Sequence, residues 1–446
     1  MSRKQFEVVC DSLDDFGRGI VRIDGKAIFV DDLLPGEKAK IETVYTNGVL
    51  SEAVMMERLA DSPYRVKPLC PLFPDCGGCQ IMHLDYSRQL IYKRDKVKNL
   101  IHKFAKMDVF VDDTIGLEEN THFRNKVQKP LQKNKKGKTV CGFYRKGTHK
   151  IVPSTSCLME SELASKITKN VLQLIDSFGY EPYDEDKDTG DVRHILIKTS
   201  LYYNQALVTL VVTHADLKGR MNFAKELVKR VPEVKGVVFN INNRHTNVIL
   251  GEKDVQVYGI TRLKDRLFDN DFLISTQSFY QTNSKQVEVL YSLVRDYAKL
   301  TKEDTLLDAY CGTGTIGLSL SDQCKEVVGV EIVPDAVRDA VKNAKINNIT
   351  NATFITEDCT KFIEENDSHF DVVVMDPPRK GATKDFLQAI ISMKPKRFVY
   401  VSCDPATLAR DLGILKSAFR IEKVTPVDMF PNTMHVETVV QLSRKI

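Results

Sequence analysis

Nowhere in the 446 residues does an apolar run approach the length of a membrane span, and the opening Met1-Ser2-Arg3-Lys4-Gln5-Phe6 lacks the apolar core of a secretory signal. A soluble, cytoplasmic protein with no membrane partner is expected. Charge of one sign is scarce in excess: 64 Lys and Arg against 60 Asp and Glu leave only +4. Total charge therefore names no partner, and any nucleic-acid case rests on where the charge lies. Ten cysteines in a long chain expected to be cytoplasmic argue against a disulfide framework and for metal, cluster or catalytic use of some of them. The length and a hydrophobic share of 42% suit two or three domains with real cores.

One hydrophobic run stops abruptly on a cysteine. Phe398-Val399-Tyr400-Val401 reads as a buried strand, Asp404-Pro405 opens a helix, and Cys403 lies between them, at the carboxyl end of a strand where open α/β sheets place their chemistry. A thiol beside the first turn of a helix is expected to feel the positive end of the helix dipole and to favour the thiolate. Alone, such a cysteine is more commonly a small buried hydrophobe. Its neighbours decide the matter.

The first sixty residues hold five short β-prone runs: Phe6 to Cys10, Gly19 to Ile23, Lys26 to Val30, Lys38 to Tyr45 and Leu50 to Leu59. Gly17, Asp24-Gly25, Pro35-Gly36 and Asn47-Gly48 punctuate them, as in a small OB-like barrel. Next comes Cys70-Pro71-Leu72-Phe73-Pro74-Asp75-Cys76-Gly77-Gly78-Cys79, whose C-x5-C-x2-C spacing makes a metal or cluster loop. A fourth ligand is missing locally; Cys157 is the choice and Cys141 the alternative. All-thiolate ligation suits zinc or an iron–sulfur cluster, and spacing does not separate them. Because the loop lies far along the chain from Cys403, its role is expected to be structural.

Leu90, Arg94, Val97, Ile101 and Phe104 recur with helical period, so residues 84–106 are expected to form an amphipathic helix with a solvated polar face, a helix able to pack on the catalytic domain. From Phe123 to Lys150 there are ten Lys or Arg and no acid, with Phe123, Phe143 and Tyr144 interleaved. That pattern fits phosphate neutralisation and base stacking in single-stranded RNA, or a solvated basic hairpin tip around Lys133 to Lys138. Helices near 161–178 and 218–230 alternate with strands His194 to Thr199, Ala206 to Thr213 and Gly236 to Asn240, an α/β layer without a catalytic constellation.

The C-terminal part reads as a doubly wound sheet. Thr305-Leu306-Leu307-Asp308-Ala309-Tyr310-Cys311-Gly312-Thr313-Gly314 is a strand running into a glycine-rich turn; Val327 to Glu331 ends on an acid; Phe370 to Met375 runs into Asp376-Pro377-Pro378-Arg379. Three units are expected: a barrel at 1–60, a central domain at 61–268 and a Rossmann-like catalytic domain at 269–446.

These motifs, with Ser402-Cys403-Asp404-Pro405 and His435-Val436-Glu437-Thr438, resemble the RNA 5-methyluridine methyltransferase family across the whole chain. The run from Gly17-Arg18-Gly19-Ile20 to Leu34-Pro35-Gly36-Glu37 resembles the RNA-binding TRAM domain found in the family's 23S ribosomal-RNA branch. The resemblance implies Cys403 as nucleophile and Glu437 as base. It implies Gln281, Tyr310, Glu331 and Asp376 as contacts of S-adenosyl-L-methionine, and a [4Fe–4S] cluster on Cys70, Cys76, Cys79 and Cys157. It also implies a monomer acting on an unstacked uridine of 23S rRNA. Thr315 departs from the asparagine of some relatives.

Chemistry accounts for these residue types. C5 of uracil is a poor nucleophile until a thiolate adds to C6, and the C5 proton must leave before the thiol can be eliminated. Phe279 is expected either to stack a base or to fill the core. Two other readings stay open: a tRNA uridine methyltransferase, whose members usually lack barrel and cysteine loop, and a non-catalytic RNA-binding or iron–sulfur sensing module. An N6-adenine enzyme is disfavoured, because Asp376-Pro377-Pro378-Arg379 carries no aromatic to stack an adenine.

Overall fold

The computed structural model describes residues 4–46, 49–246, 248–365 and 369–445. Alternating apolar positions curl the first strands into one six-stranded sheet: β1 (Gln5–Val9), β2 (Ser12–Leu13), β3 (Gly19–Ile23), β4 (Lys26–Val30), β5 (Lys38–Thr46) and β6 (Val49–Ala60), in the order β1-β5-β6-β4-β3-β2. Val21, Ile23, Ile28, Val30, Ala39 and Ile41 fill its interior. The short β2 had no readable sequence signal, and the expected turn at Asn47-Gly48 lies outside the described residues.

Helix α1 (Tyr86–Leu100) is capped by Asp85 and runs on through a π-helical turn at Ile101–Ala105. Its polar face departs from the expected solvated one. Lys93 is fully buried and donates to the equally buried Asp428 at 2.6 Å. The reason is position: the helix is wedged between the N-terminal sheet, where Tyr92 Oη donates to Leu13 O at 2.9 Å, and the core of the C-terminal sheet, where Val97, Ile101 and Ala105 pack with Leu412 and Leu415.

The central layer comprises β7 (Lys126–Lys133), β8 (Thr139–Tyr144), β9 (Ile151–Pro153), α2 (Glu162–Phe178), β10 (Val192–Ser200), β11 (Gln205–Val212), α3 (Arg220–Arg230), β12 (Val234–Ile241) and β13 (Lys253–Gly259). Its strand order is β13-β12-β11-β10-β7-β8-β9. The basic stretch 123–150 is not a uniform RNA face. Lys129 is buried on Glu160 at 2.8 Å, and burial lowers the pKa of Arg124 and Lys126, whereas Lys133, Lys135, Lys136 and Lys138 are exposed at the hairpin tip.

A hairpin of β14 (Arg262–Leu267) and β15 (Asn270–Ser275) and helix α4 (Ser284–Ala298) lead into the last sheet. It contains β16 (Thr305–Ala309), α5 (Thr315–Leu320), β17 (Glu326–Glu331), α6 (Pro334–Ile346), β18 (Ala352–Thr356), α7 (Cys359–Glu365), β19 (Val372–Met375), α8 (Lys384–Met393), β20 (Arg397–Ser402), α9 (Pro405–Leu415), β21 (Phe419–Val427) and β22 (Glu437–Arg444). The order is β18-β17-β16-β19-β20-β22-β21. Strands are parallel from β18 to β20, and β22 inserts antiparallel beside β20. Helices cover both faces, and the strand order reverses between β16 and β19, the switch point at which such sheets bind ligands. Among the described residues no helix is long and apolar enough to cross a membrane.

Candidate active site

Strand β20 is interior, so Phe398, Val399, Tyr400 and Val401 are all buried, and Pro405 in the first turn of α9 ends the extended run. Asp404 caps that helix: its Oδ1 accepts from the N–H of Ala406 at 2.9 Å and of Thr407 at 3.0 Å. The expected thiolate-favouring helix start is thereby corrected, because the Asp404 carboxylate takes the first-turn donors. Burial pushes the Cys403 thiol up to about 12, with Glu437 and Asp376 adding to the rise and Arg379 opposing it.

Glu437 arrives from the antiparallel strand. Ser402 of β20 pairs with Thr438 of β22, and one residue further out on the two strands stand Cys403 and Glu437. Burial, then the charge of Asp376, raises the Glu437 carboxyl well above its ordinary range, again against Arg379. Asp376 itself, just past β19, is pushed up to about 7 by burial. Gln281 donates to its Oδ2 at 3.5 Å. The segment carrying Gln281 is held by the central layer: Lys198 Nζ donates to Ser275 O at 2.6 Å and Ser278 O at 2.8 Å, and Asn125 Nδ2 donates to Gln281 O at 2.9 Å.

Along the same sheet edge, Glu331 Oε2 accepts from Gly312 N–H at 3.2 Å and Oε1 from Val333 N–H at 2.9 Å. Tyr310 sits at φ +62 with its ring 5.2 Å from that of Phe386. The two turn glycines differ. A Cβ on Gly312 would meet nothing within 4 Å, whereas one on Gly314 would lie 2.8 Å from the Phe354 ring. Space for a ligand is therefore open over Gly312 and closed at Gly314. Thr315 shares a hydrogen bond with Tyr291 Oη at 3.0 Å. Phe279 is 67% exposed, which removes the core-aromatic alternative.

Two contributors escaped the sequence reading. Asp308 accepts from Gly317 N–H at 2.8 Å, leaves Oδ1 buried without a partner among the described residues, and is pushed up to about 7 by burial. Its signal was an acid ending a strand directly before a glycine turn. Arg379 contacts the His435 ring at 2.8 Å and opposes the rise of Cys403 and Glu437. Nothing in the sequence pairs positions so far apart.

Cys70, Cys76, Cys79 and Cys157 line one cavity of about 400 Å³. Met82 and Met159 also line it and pack with Phe123 in one buried cluster. The thiols feel one another: Cys79 is pushed up to about 12 by burial and then by Cys157, Cys76 and Cys70. Cys141 stands apart, its thiol donating to Ser154 O at 3.5 Å. Arg124 lies beside Cys157 and Cys79, a cation placed to offset thiolates. Among the described residues no three His, Cys, Asp or Glu side chains group around a point as ligands of a single ion. The four thiols share one cavity, with the Arg124 cation beside two of them.

A family model described as tRNA (Uracil-5-)-methyltransferase matches residues 85–445. An uncharacterized RNA methyltransferase of Oceanobacillus iheyensis is 39% identical over 447 residues, 99% of this chain and 97% of its own. Another, from Bacillus cereus, is 40% identical over 98% of this chain and 96% of its own. The tRNA (uracil-54, C5)-methyltransferase of Pyrococcus abyssi, solved with S-adenosyl-L-homocysteine, superposes with a TM-score of 0.79 at 27% identity, covering 98% of this chain and 99% of that one. That match runs through the N-terminal sheet, so the sheet's presence does not divide rRNA enzymes from tRNA enzymes as the sequence reading expected. With the family model spanning most of the chain and relatives covering the remainder, the chain belongs to the tRNA (uracil-5-)-methyltransferase family, S-adenosylmethionine-dependent enzymes that methylate C5 of uracil in RNA.

Proposed function

We propose that this protein methylates C5 of a uridine in 23S rRNA, with Cys403 as the nucleophile and Glu437 as the base. The observation that carries the assignment is the cross-strand adjacency of these two residues at the carboxyl edge of the sheet, beside Asp376 and the open turn at Gly312. S-adenosylmethionine supplies the methyl group. Gln281, Tyr310, Glu331 and Asp376 would hold it, and a pocket rich in carboxyls suits a cationic ligand. Cys403 Sγ adds to C6 and makes C5 nucleophilic; after methyl transfer Glu437 takes the C5 proton, the C–H electrons restore the C5–C6 double bond, and the thiolate leaves. Exposed Phe279 offers a stacking face for an unstacked base.

The proposal keeps the division at 1–60, 61–268 and 269–446 and gives Cys70, Cys76, Cys79 and Cys157 a [4Fe–4S] cluster. Anaerobically purified protein should contain iron and sulfide in equal amounts with visible absorbance lost in Cys79→Ser. Zinc without sulfide would overturn that part. The exposed lysines of the hairpin tip offer phosphate contacts beyond the reacting base, which supports a large structured RNA. The end-to-end likeness to a tRNA enzyme favours tRNA as the second reading.

The test is denaturing electrophoresis with S-adenosylmethionine and either 23S rRNA fragments or tRNA transcripts. Glu437→Gln should accumulate a covalent adduct on 23S RNA and Cys403→Ala none. An adduct on tRNA alone would reassign the substrate, and no adduct on either RNA would remove both catalytic roles.

A further inference from the structure

The segment that delivers Glu437 is nine residues long, Asp428 to Val436, and connects β21 to β22. It has no ladder of its own. Asn283 Nδ2 donates to Met429 O at 3.1 Å and Arg379 meets His435, but most of the segment's contacts come from residues 80–159 and converge on Asn432. The backbone N–H of Asn432 donates to Gln89 Oε1 at 2.9 Å, and its Oδ1 accepts from Gln89 Nε2 at 3.2 Å. Its carbonyl accepts from both Gln80 N–H at 2.9 Å and Ile81 N–H at 3.1 Å, the two amides that follow Cys79. Its Nδ2 reaches Met159 Sδ at 3.5 Å, and Met159 N–H in turn lies 3.4 Å from Cys157 Sγ. Every polar atom of Asn432 is thus engaged. Its φ of +66 is one that Asn tolerates better than most side chains.

Further contacts close the frame. Gln89 Nε2 also donates to Ile81 O at 3.1 Å and Leu84 O at 2.9 Å, and Lys96 Nζ donates to Met434 O at 3.2 Å. Met434 is buried with Ile81 and Leu84. The cysteine loop and the Glu437 segment therefore share one residue, although more than three hundred positions separate them in the chain. Two of the four thiols are thereby linked to Asn432, Cys79 through the amides that follow it and Cys157 through the two contacts of Met159.

We propose that Asn432 is a positioning residue that ties the Cys70–Cys79 loop to the placement of Glu437, so that the state of the four thiols governs removal of the C5 proton more than formation of the Cys403 adduct. The inference rests on the base assignment to Glu437. The role expected from sequence distance, a cluster loop that serves folding alone, gives way to a loop coupled to one step of the reaction. A base displaced by disorder in the loop leaves Cys403, just past β20, still able to add to C6, and the methylated adduct then persists.

The experiment compares wild type, Asn432→Gly, Gln89→Leu, Cys79→Ser and Glu437→Gln in single-turnover adduct formation and product release on the RNA that Glu437→Gln traps. Asn432→Gly keeps the left-handed backbone and loses the contacts with Gln89 Nε2 and Met159. It should form adduct within about twofold of the wild-type rate and release product roughly tenfold slower, about 1.4 kcal/mol on that step alone. Gln89→Leu and Cys79→Ser should show the same split, and Asn432→Gly placed on Glu437→Gln should add nothing further. Thermal melting, and hydrogen exchange of the Gln80 and Ile81 amides, give readouts independent of turnover, with those amides exchanging faster in Asn432→Gly at an unchanged melting temperature. If Glu437→Gln traps adduct while Asn432→Gly and Gln89→Leu release product at the wild-type rate, the coupling is wrong and the base assignment stands. If Glu437→Gln traps nothing, the base assignment itself falls. Equal slowing of both steps would make Asn432 merely structural.

Discussion

Cys403 and Glu437 are cross-strand neighbours, each one residue beyond the Ser402–Thr438 pair that ends the β20–β22 ladder. An antiparallel strand inserted into an otherwise parallel sheet is what makes this possible: β20 ends, and β22 begins, at the same edge. The proposed nucleophile and base are thereby set side by side by strand pairing, a more exact placement than loops give.

Arg379 opposes the carboxyls that raise both groups. If Cys403 is the nucleophile proposed above, its thiol must ionise to add to C6, and adduct formation should accelerate with rising pH. Arg379→Met should move that profile to higher pH by about one unit, roughly tenfold slower near neutrality. A stopped-flow pH series checks this, and an unmoved profile would contradict it.

The two turn glycines should separate binding from stability. Both have positive φ, so alanine strains either by about 1 kcal/mol. At Gly314 the new Cβ also meets the Phe354 ring, and chemical denaturation should report a further loss of about 1–3 kcal/mol. At Gly312 the Cβ enters open space, and calorimetry should instead show weakened S-adenosylmethionine binding with little added loss of stability.

Lys93 and Asp428 form a wholly buried ion pair between α1 and the catalytic domain. Lys93→Met leaves a buried carboxylate unpaired and should cost about 3–5 kcal/mol in urea unfolding, much of it regained by adding Asp428→Leu. A single variant as stable as wild type would show that the pair opens to water.

Asp308 has a carboxyl raised from 3.8 to about 7 in the folded protein. The folded state therefore holds a proton that the unfolded chain has released, and this group's contribution falls as pH climbs from about 4 to 7. Asp308→Asn should gain stability over wild type by an increment that grows between pH 5 and pH 8 by about 2 kcal/mol. Melting curves at the two pH values measure it; a constant difference would refute the raised carboxyl.

Much of the fold was legible because its signals are local. The alternation of Val21, Ile23, Ile28 and Val30 marked the first sheet, and the run Phe398 to Val401 stopped by Asp404-Pro405 marked β20 and α9. Helix α1 was legible as a helix, but its surroundings were not. Lys93 looks like any solvated lysine in sequence, since only packing against Asp428 distinguishes it. The same holds for Lys129, whose partner Glu160 lies on another element.

The sequence by itself determined which chemistry is available: a thiol and an acid at strand ends, a glycine turn before an acid-tipped strand, and four cysteines able to share a group. Periodicity and turn residues act over a few positions, so these survive in one dimension. Only the tertiary structure decided what those groups do to each other. Burial and neighbouring carboxyls hold Cys403 protonated despite its helix, β22 sets Glu437 beside it, Cys157 joins the other three thiols while Cys141 stays apart, and Asn432 joins the cysteine loop to the segment that precedes Glu437. Desolvation and Coulomb coupling depend on distance in space, and the chain order carries no record of that distance.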